Sequence, residues 1–338
     1  MNMYRVSPSR AASKDPCMDT ETIRQLIVPI EGYSDLRRRL LCGELERFRK
    51  SLEWIEPRPG KSLLDLGSRG DLVPVFRELL GFDRVVCVDA ASGARRQTLV
   101  HDNGAVFEFE AHRINLETEP YPFPDQCFDQ VVAMESIEHL AIDPMFMLAE
   151  ANRVLKPRGA LLLTTPNIAS LSSLYRQLWG KHPAIGGQTF GPGTMDRHHR
   201  EYVPDEVRRI MQAAGFEVDR LDTFDPQPLP KAVRKVKRLL RVLRWLKPDL
   251  DTDYRGRVIR CSCVKIGEVT ERFPEAIYPR YDFYDYPAYD KELAARFDGR
   301  RYWRTNVVAC RESSDRYTER HDPEPIGAPC RPRNAIPP

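Results

Sequence analysis

The sequence predicts an α/β fold: a doubly wound, mostly parallel, seven-stranded sheet with helices before it and an irregular extension after it. Three observations predict this. Between residues 57 and 267, short Val/Leu-rich runs alternate with helical stretches, the pattern of parallel strands covered on both faces. Before them, apolar residues recur at three- and four-residue steps. After them, from residue 268, Tyr, Pro, Asp and Arg dominate without useful periodicity.

Taken in order, residues 1–18 are polar and are expected to form a flexible N-terminus. Residues 19–56 form an N-terminal helical segment, with Leu36, Leu40, Leu41, Leu45, Phe48 and Leu52 as its stripe. Pro57, Pro59 and Gly60 end it. Strands are expected at residues 62–66, 84–89, 106–109, 128–134, 160–165, 216–223 and 257–266. Helices are expected after Gly70, near 92–100, over 144–155 and over 204–214, where Gly215 stands as a C-terminal stop. An amphipathic helix, KAVRKVKRLLRVLRWLK, is inserted at 231–247: Val233, Val236, Leu240, Leu243 and Leu246 make its stripe, beside eight basic residues and no acid. Residues 268–338 form the C-terminal extension, and its last twenty or so are expected to be disordered.

The chain has 338 residues and a net charge of +3. The length suits one α/β domain with sizeable extensions. The charge excludes a polyanion binder by bulk charge alone, so any basic patch is local. Eight cysteines are scattered, with no C-x-x-C pair and no Cys/His cluster at zinc spacing, so no metal site is expected. Cys87 reads as a reduced core thiol, and Cys261 and Cys263 share one strand face. The first residues lack a signal-peptide apolar stretch, and no run reaches the ~20 apolar residues that span a bilayer. The expected compartment is the cytoplasm.

The strongest chemical signal is SLLDLGSRGD, residues 62–71. An apolar strand carries Asp65 near its end, turns at Gly67 and Ser68, and leads into a helix whose first N–H groups are open to a ligand. Asp89 closes the next strand, RVVCVDA, 22 residues after Gly67, near the ~20 expected for an acid that holds ribose hydroxyls. A nicotinamide enzyme would carry a complete G-x-G-x-x-G, which is missing here.

These segments, followed by INLETEPYPFPDQCFDQVVAMESIEHL and EANRVLKPRGALLLTTPN, resemble the class I S-adenosylmethionine-dependent methyltransferases. Among these, the chain is most similar to a bacterial subgroup with an E-x-x-E-H segment after the fourth strand. The resemblance covers about residues 60–223 and implies a Rossmann-like fold and S-adenosylmethionine as cofactor. It implies that Asp65, Gly67 and Ser68 sit beside the methionine end and that Asp89 holds the ribose. Asn115 would face the adenine amino group, with Leu116 near the ring. Glu135 and Ser136 would line the cleft below the sulfonium. Two positions depart from the family: Arg69 replaces its second glycine, and Asp71 stands at the usual third, with Gly70 one place early. The side chain at 69 must point away from the cofactor or cap it.

Methyl transfer needs an acceptor held in line and often relieved of a proton. His139, with Glu138 beside it, follows the fourth predicted strand and is one candidate base. His198, in RHHREY, is the other, at a position where the subgroup often carries histidine. A structural hydrogen-bond pair is the competing reading for Glu138 and His139, and a solvated loop for His198 and His199. Asn167 faces the acceptor or caps a turn. The acceptor is expected to be a small molecule, glycan or lipid, methylated on oxygen. Its lid would draw on the N-terminal helices, the 180–199 loop and the Tyr-rich tail. Helix 231–247 has three readings: a surface helix packed by its stripe, attachment to an anionic membrane surface at the inner face, or contact with an anionic acceptor. No nucleic-acid module accompanies it. A non-catalytic relic, which Arg69 favours, and another nucleotide-cofactor enzyme are the alternatives to a methyltransferase.

Overall fold

A computed structural model of the chain describes residues 18–90, 95–141, 144–184, 197–248, 252–272 and 274–277. The expectations for residues 1–17, for most of the 180–199 loop and for the Tyr-rich tail lie outside the described residues.

Among the described residues two helices precede the sheet, α1 (Thr20–Ile27) and α2 (Asp35–Leu52). Each begins at a side-chain cap: Asp19 accepts from the Thr22 N–H at 2.7 Å, and Ser34 from the Arg37 N–H at 3.2 Å. Between them Pro29 and Gly32, at φ +78°, interrupt the helical pattern. On α2, Leu41, Phe48 and Leu52 are buried, whereas Leu36 and Leu40 of the same predicted stripe stay 60% and 62% exposed.

The remaining elements are β1 (Ser62–Leu66), α3 (Val73–Glu78), β2 (Arg84–Asp89), β3 (Arg96–Val100), β4 (Val106–Arg113), β5 (Phe128–Met134) and a 3-10 turn (Ile137–His139). Then come α4 (Pro144–Val154), β6 (Leu155–Pro166), α5 (Leu171–Leu178), α6 (Pro204–Ala213), β7 (Phe216–Phe224), α7 (Lys231–Leu246) and β8 (Val258–Lys265). One sheet runs in the order β3-β4-β2-β1-β5-β6-β8-β7. The pairs β4–β2, β2–β1, β1–β5 and β5–β6 are parallel; β3–β4, β6–β8 and β8–β7 are antiparallel.

The sheet has eight strands, not seven, because the helix expected near 92–100 is a strand over its described part. Arg96 to Val100 offer no 3.6-residue apolar repeat. They alternate instead: Leu99 is buried while Arg96 and Thr98 are exposed, and the segment pairs with Val106 to Glu110 of β4.

Alternation along the strands builds two cores. Leu64, Leu66, Val86, Val88, Val131 and Ala133 pack in one cluster with Leu148, Val207 and Ile210 of α4 and α6. Leu63, Val85, Cys87 and Val132 pack in the other with Ile23, Phe48 and Phe76 of α1, α2 and α3. The sheet is therefore doubly wound. From β1 the chain moves outward through β2, then returns to place β5 on the other side of β1. The carboxyl ends of β1 and β5 thus flank the reversal of strand order, where such sheets open a crevice.

Candidate active site

A cavity of about 310 Å3 opens at this reversal, lined by Asp65, Gly67, Ser68, Asp89 and Glu135, together with Arg47 and Phe48 from α2 and Arg69. Gly67 adopts φ +74°, and a Cβ there would lie 2.5 Å from Ser136 Oγ. That hydroxyl donates to the backbone carbonyls of Leu66 and Met134, tying the ends of β1 and β5 together. Only glycine gives both the left-handed turn and the room. Gly70, at φ +92°, sits against the Phe109 ring, which a Cβ would meet at 2.4 Å.

Asp65 is 2% exposed, and its Oδ2 has no hydrogen-bond partner. Burial pushes its carboxyl up to about 7, against the Ser68 hydroxyl, with a small further push from Asp71. Asp71 is held by the Tyr33 hydroxyl at 2.6 Å and by Arg37 Nη2 at 2.6 Å, which joins the start of α2 to the β1 turn. The departure at position 69 has a visible outcome: Arg69 Nε lies 3.6 Å from Asp89 Oδ1, with the Arg69 side chain 60% exposed. It caps the acid from the solvent side.

At the end of β5, Glu135 adopts φ +50°, a conformation rare outside glycine. Its Oε1 accepts from Thr164 Oγ1 at 2.9 Å. Burial raises its carboxyl, and the nearby Arg47 guanidinium opposes that shift. Arg47 is mostly buried and also pairs with Glu44 at 2.5 Å.

Glu138 is fully buried. Its Oε2 accepts from Thr165 Oγ1 at 3.0 Å, and its Oε1 has no hydrogen bond but lies 3.9 Å from His139 Nε2. Burial, then the charge of Glu135, pushes its carboxyl well above the usual range. His139 Nδ1 lies 3.1 Å from the Arg197 carbonyl. A carbonyl only accepts, so Nδ1 carries the hydrogen of the neutral ring and Nε2 the lone pair. His198 packs edge-on to His139 at 5.0 Å between ring centres, and its Nδ1 lies 3.1 Å from Glu201 Oε1. Ligand atoms of Glu138, His139 and His198 all lie within 4.8 Å of one another, close enough to share a divalent cation.

The family model described as a methyltransferase domain matches residues 33–221. The chain belongs to this methyltransferase family. It is a class I methyltransferase on the Rossmann-like fold, and its methyl donor is S-adenosylmethionine. This methyltransferase is 26% identical over 212 residues to a ubiquinone biosynthesis O-methyltransferase from Thiobacillus denitrificans, covering 60% of this chain and 81% of the relative. It is 29% identical over 201 residues to a ubiquinone/menaquinone biosynthesis C-methyltransferase from Shewanella oneidensis, covering 54% of this chain and 78% of that one. Among solved structures it is similar to a SAM-dependent methyltransferase from Archaeoglobus fulgidus, with 18% identity, TM-score 0.42, and coverage of 67% of this chain and 94% of that chain. It is also similar to an S-adenosylmethionine-dependent methyltransferase from Mesorhizobium loti, with 15% identity, TM-score 0.40, and coverage of 66% and 98%.

The cavity fits that donor. Asp65 presents a buried oxygen lacking a donor, Gly67 leaves the backbone bare, and Asp89 stands within reach of the same space. Five of the seven expected cofactor residues line the methyltransferase cavity. Asn115 and Leu116 are not in that lining: Asn115 Oδ1 accepts from the Glu117 N–H at 2.9 Å, and Leu116 belongs to the core. Asn167 is 2% exposed and holds the carbonyls of Tyr254 and Gly256, so it acts as a strut behind β6. His199 donates its backbone N–H to the Glu138 carbonyl at 2.7 Å. Sequence reasoning missed Arg47 and Phe48. Phe48 belonged to the predicted stripe, but Arg47 lies in an α2 run rich in Arg and Glu, where it reads as a solvated charge.

Proposed function

We propose that this methyltransferase methylates an oxygen of a small-molecule, glycan or lipid-linked acceptor, with His139 taking up the acceptor's proton. The observation that carries this reading is the fixed ring of His139: Nδ1 is held by the Arg197 carbonyl, and Nε2 stands beside the buried Glu138. Bound in the cavity, S-adenosylmethionine supplies a methyl carbon already activated by its sulfonium. The chain has to hold and to deprotonate. Asp65 offers its unmatched oxygen to the donor's ammonium group, and Asp89 offers its carboxylate to the sugar hydroxyls from beneath the Arg69 cap. Arg47 keeps positive charge beside Glu135 and Glu138.

The Thiobacillus relative is named an O-methyltransferase and the Shewanella relative a C-methyltransferase, so the acceptor atom is what the assay has to locate. The test is an assay with isotopically labelled donor and mass spectrometry of the product. His139→Ala should lower turnover by roughly 10²–10⁴-fold with donor affinity by calorimetry unchanged. Unchanged turnover in both His139→Ala and His198→Ala would remove histidine base catalysis. A methyl group found on carbon would overturn the assignment of the acceptor atom.

A further inference from the structure

We propose that α7 docks this protein on an anionic lipid bilayer. On a helix, positions advance by 100° per residue. The apolar arc of α7 runs from Val233, Val236 and Leu240 through Leu243 and Leu239 to Leu246 and Val242. Only the first three are buried, against Leu171, Leu174 and Tyr175 of α5. Leu239, Val242, Leu243 and Leu246 are 53%, 60%, 39% and 68% exposed, and Trp245 at the same end is 83% exposed. The tertiary fold therefore covers one edge of an arc that an ordinary surface helix buries whole.

The opposite arc is cationic, and Lys235 alone within α7 lies on the apolar side, between Val242 and Leu246. All eight Lys and Arg side chains between 231 and 247 are exposed, with no acid among them. Packing on α5 gives no reason for that charge, and the charges repel one another along the helix. A cavity of about 470 Å3 beside α7 is lined by Lys237, Arg241 and Arg244 over Leu240 and Leu171, with Asp253 the acid present. An interfacial helix has this division, a basic arc at headgroup level and apolar residues below.

Nucleic acid would satisfy the cations and leave Leu239, Val242 and Leu246 in water. A second copy of the chain would bring eight cations against eight. A bilayer with anionic lipid satisfies both arcs. The connection carrying α7 leaves β7 at Phe224 and enters β8 at Val258, level with Pro166 at the carboxyl end of β6. The crevice opens at that same end of the sheet, so docking sets it on the bilayer side.

The test is co-sedimentation of the full chain with vesicles of phosphatidylcholine alone and of phosphatidylcholine mixed with phosphatidylglycerol. Binding is expected only to the mixed vesicles and should weaken as salt rises. The pair Val242→Glu and Leu246→Glu should weaken it by about tenfold or more, and Lys235→Glu with Arg238→Glu should flatten the salt dependence. Unchanged affinity for S-adenosylhomocysteine shows that each variant is folded. Equal binding to both vesicles, binding to neither, variants that bind like the parent, or retention on an RNA oligonucleotide without vesicle binding would each overturn the proposal. None of these outcomes bears on His139.

Discussion

Asp65 links the protonation state of the cavity to donor binding. Its carboxyl is held at about 7 by burial, and a cation beside it favours the ionised form. Below that value, binding must expel a proton, so donor affinity is expected to fall as pH drops from 8 to 6. Calorimetry should show proton release, and Asp65→Asn should bind weakly with little pH dependence. The sign for stability is opposite to that of an ordinary salt-bridged acid: the folded state holds this proton more tightly than the unfolded chain, so this group's contribution declines as pH rises from the ordinary carboxylate range toward 7. Arg69 invites a smaller claim. Its contact with Asp89 is long and largely solvated, and such pairs are weak. Arg69→Gly is expected to change donor affinity by less than about threefold. A tenfold loss in calorimetry would make Arg69 a contact residue instead. Asp65, Gly67 and Asp89 were legible because the order of strand, turn, helix, strand and acid fixes where they stand. Arg47 was not, because its partner Glu135 is 88 positions away in the chain and is reached only through the fold.

Among the elements, the strands buried on both faces were readable because unbroken apolar runs leave few alternatives. β3 was not, since RQTLV is short and half polar, and its conformation comes from its β4 partner. The junction of α2 with β7 and β8 was equally invisible. There Arg260, 4% exposed, grips both Asp222 oxygens, reaches Glu53 Oε1 at 2.7 Å and the Lys50 carbonyl, and lies 3.6 Å over the Trp54 ring. Its acidic partners are partly solvated, which screens the loss. Arg260→Ala is therefore expected to cost about 1–3 kcal/mol in denaturant melts. A second clamp joins β1, β5 and β6: Asp129 Oδ2 accepts from the Ser62 N–H, the Ser62 hydroxyl and Lys156 Nζ at 3.0, 2.8 and 2.8 Å. Burial raises this carboxyl, but Lys156 and Ser62 outweigh it and draw it down to about 2. Its stabilisation is full above the unfolded value near 4 and is lost as pH falls toward 2. Thermal melts of Asp129→Asn should show a shallower loss of Tm across that window than the parent.

At the scale of the molecule, no helix among the described residues is long and apolar enough to cross a membrane, and the attachment proposed for α7 is expected to be reversible by salt. The open sheet has two rims, and each is guarded. At one, the connection between α1 and α2 leans on β3: Ile30 bridges to His101, and the Glu31 N–H donates to the Val100 carbonyl at 2.8 Å. At the other, β7 presents Glu217, Asp219 and Arg220 to solvent and shifts register between Val218 and Arg220. A strand from a neighbouring molecule would find its first hydrogen bonds taken on one side, and a kinked, charged margin on the other. Crowding on a lipid surface, where copies meet often and in one orientation, should therefore not zip these sheets into fibrils.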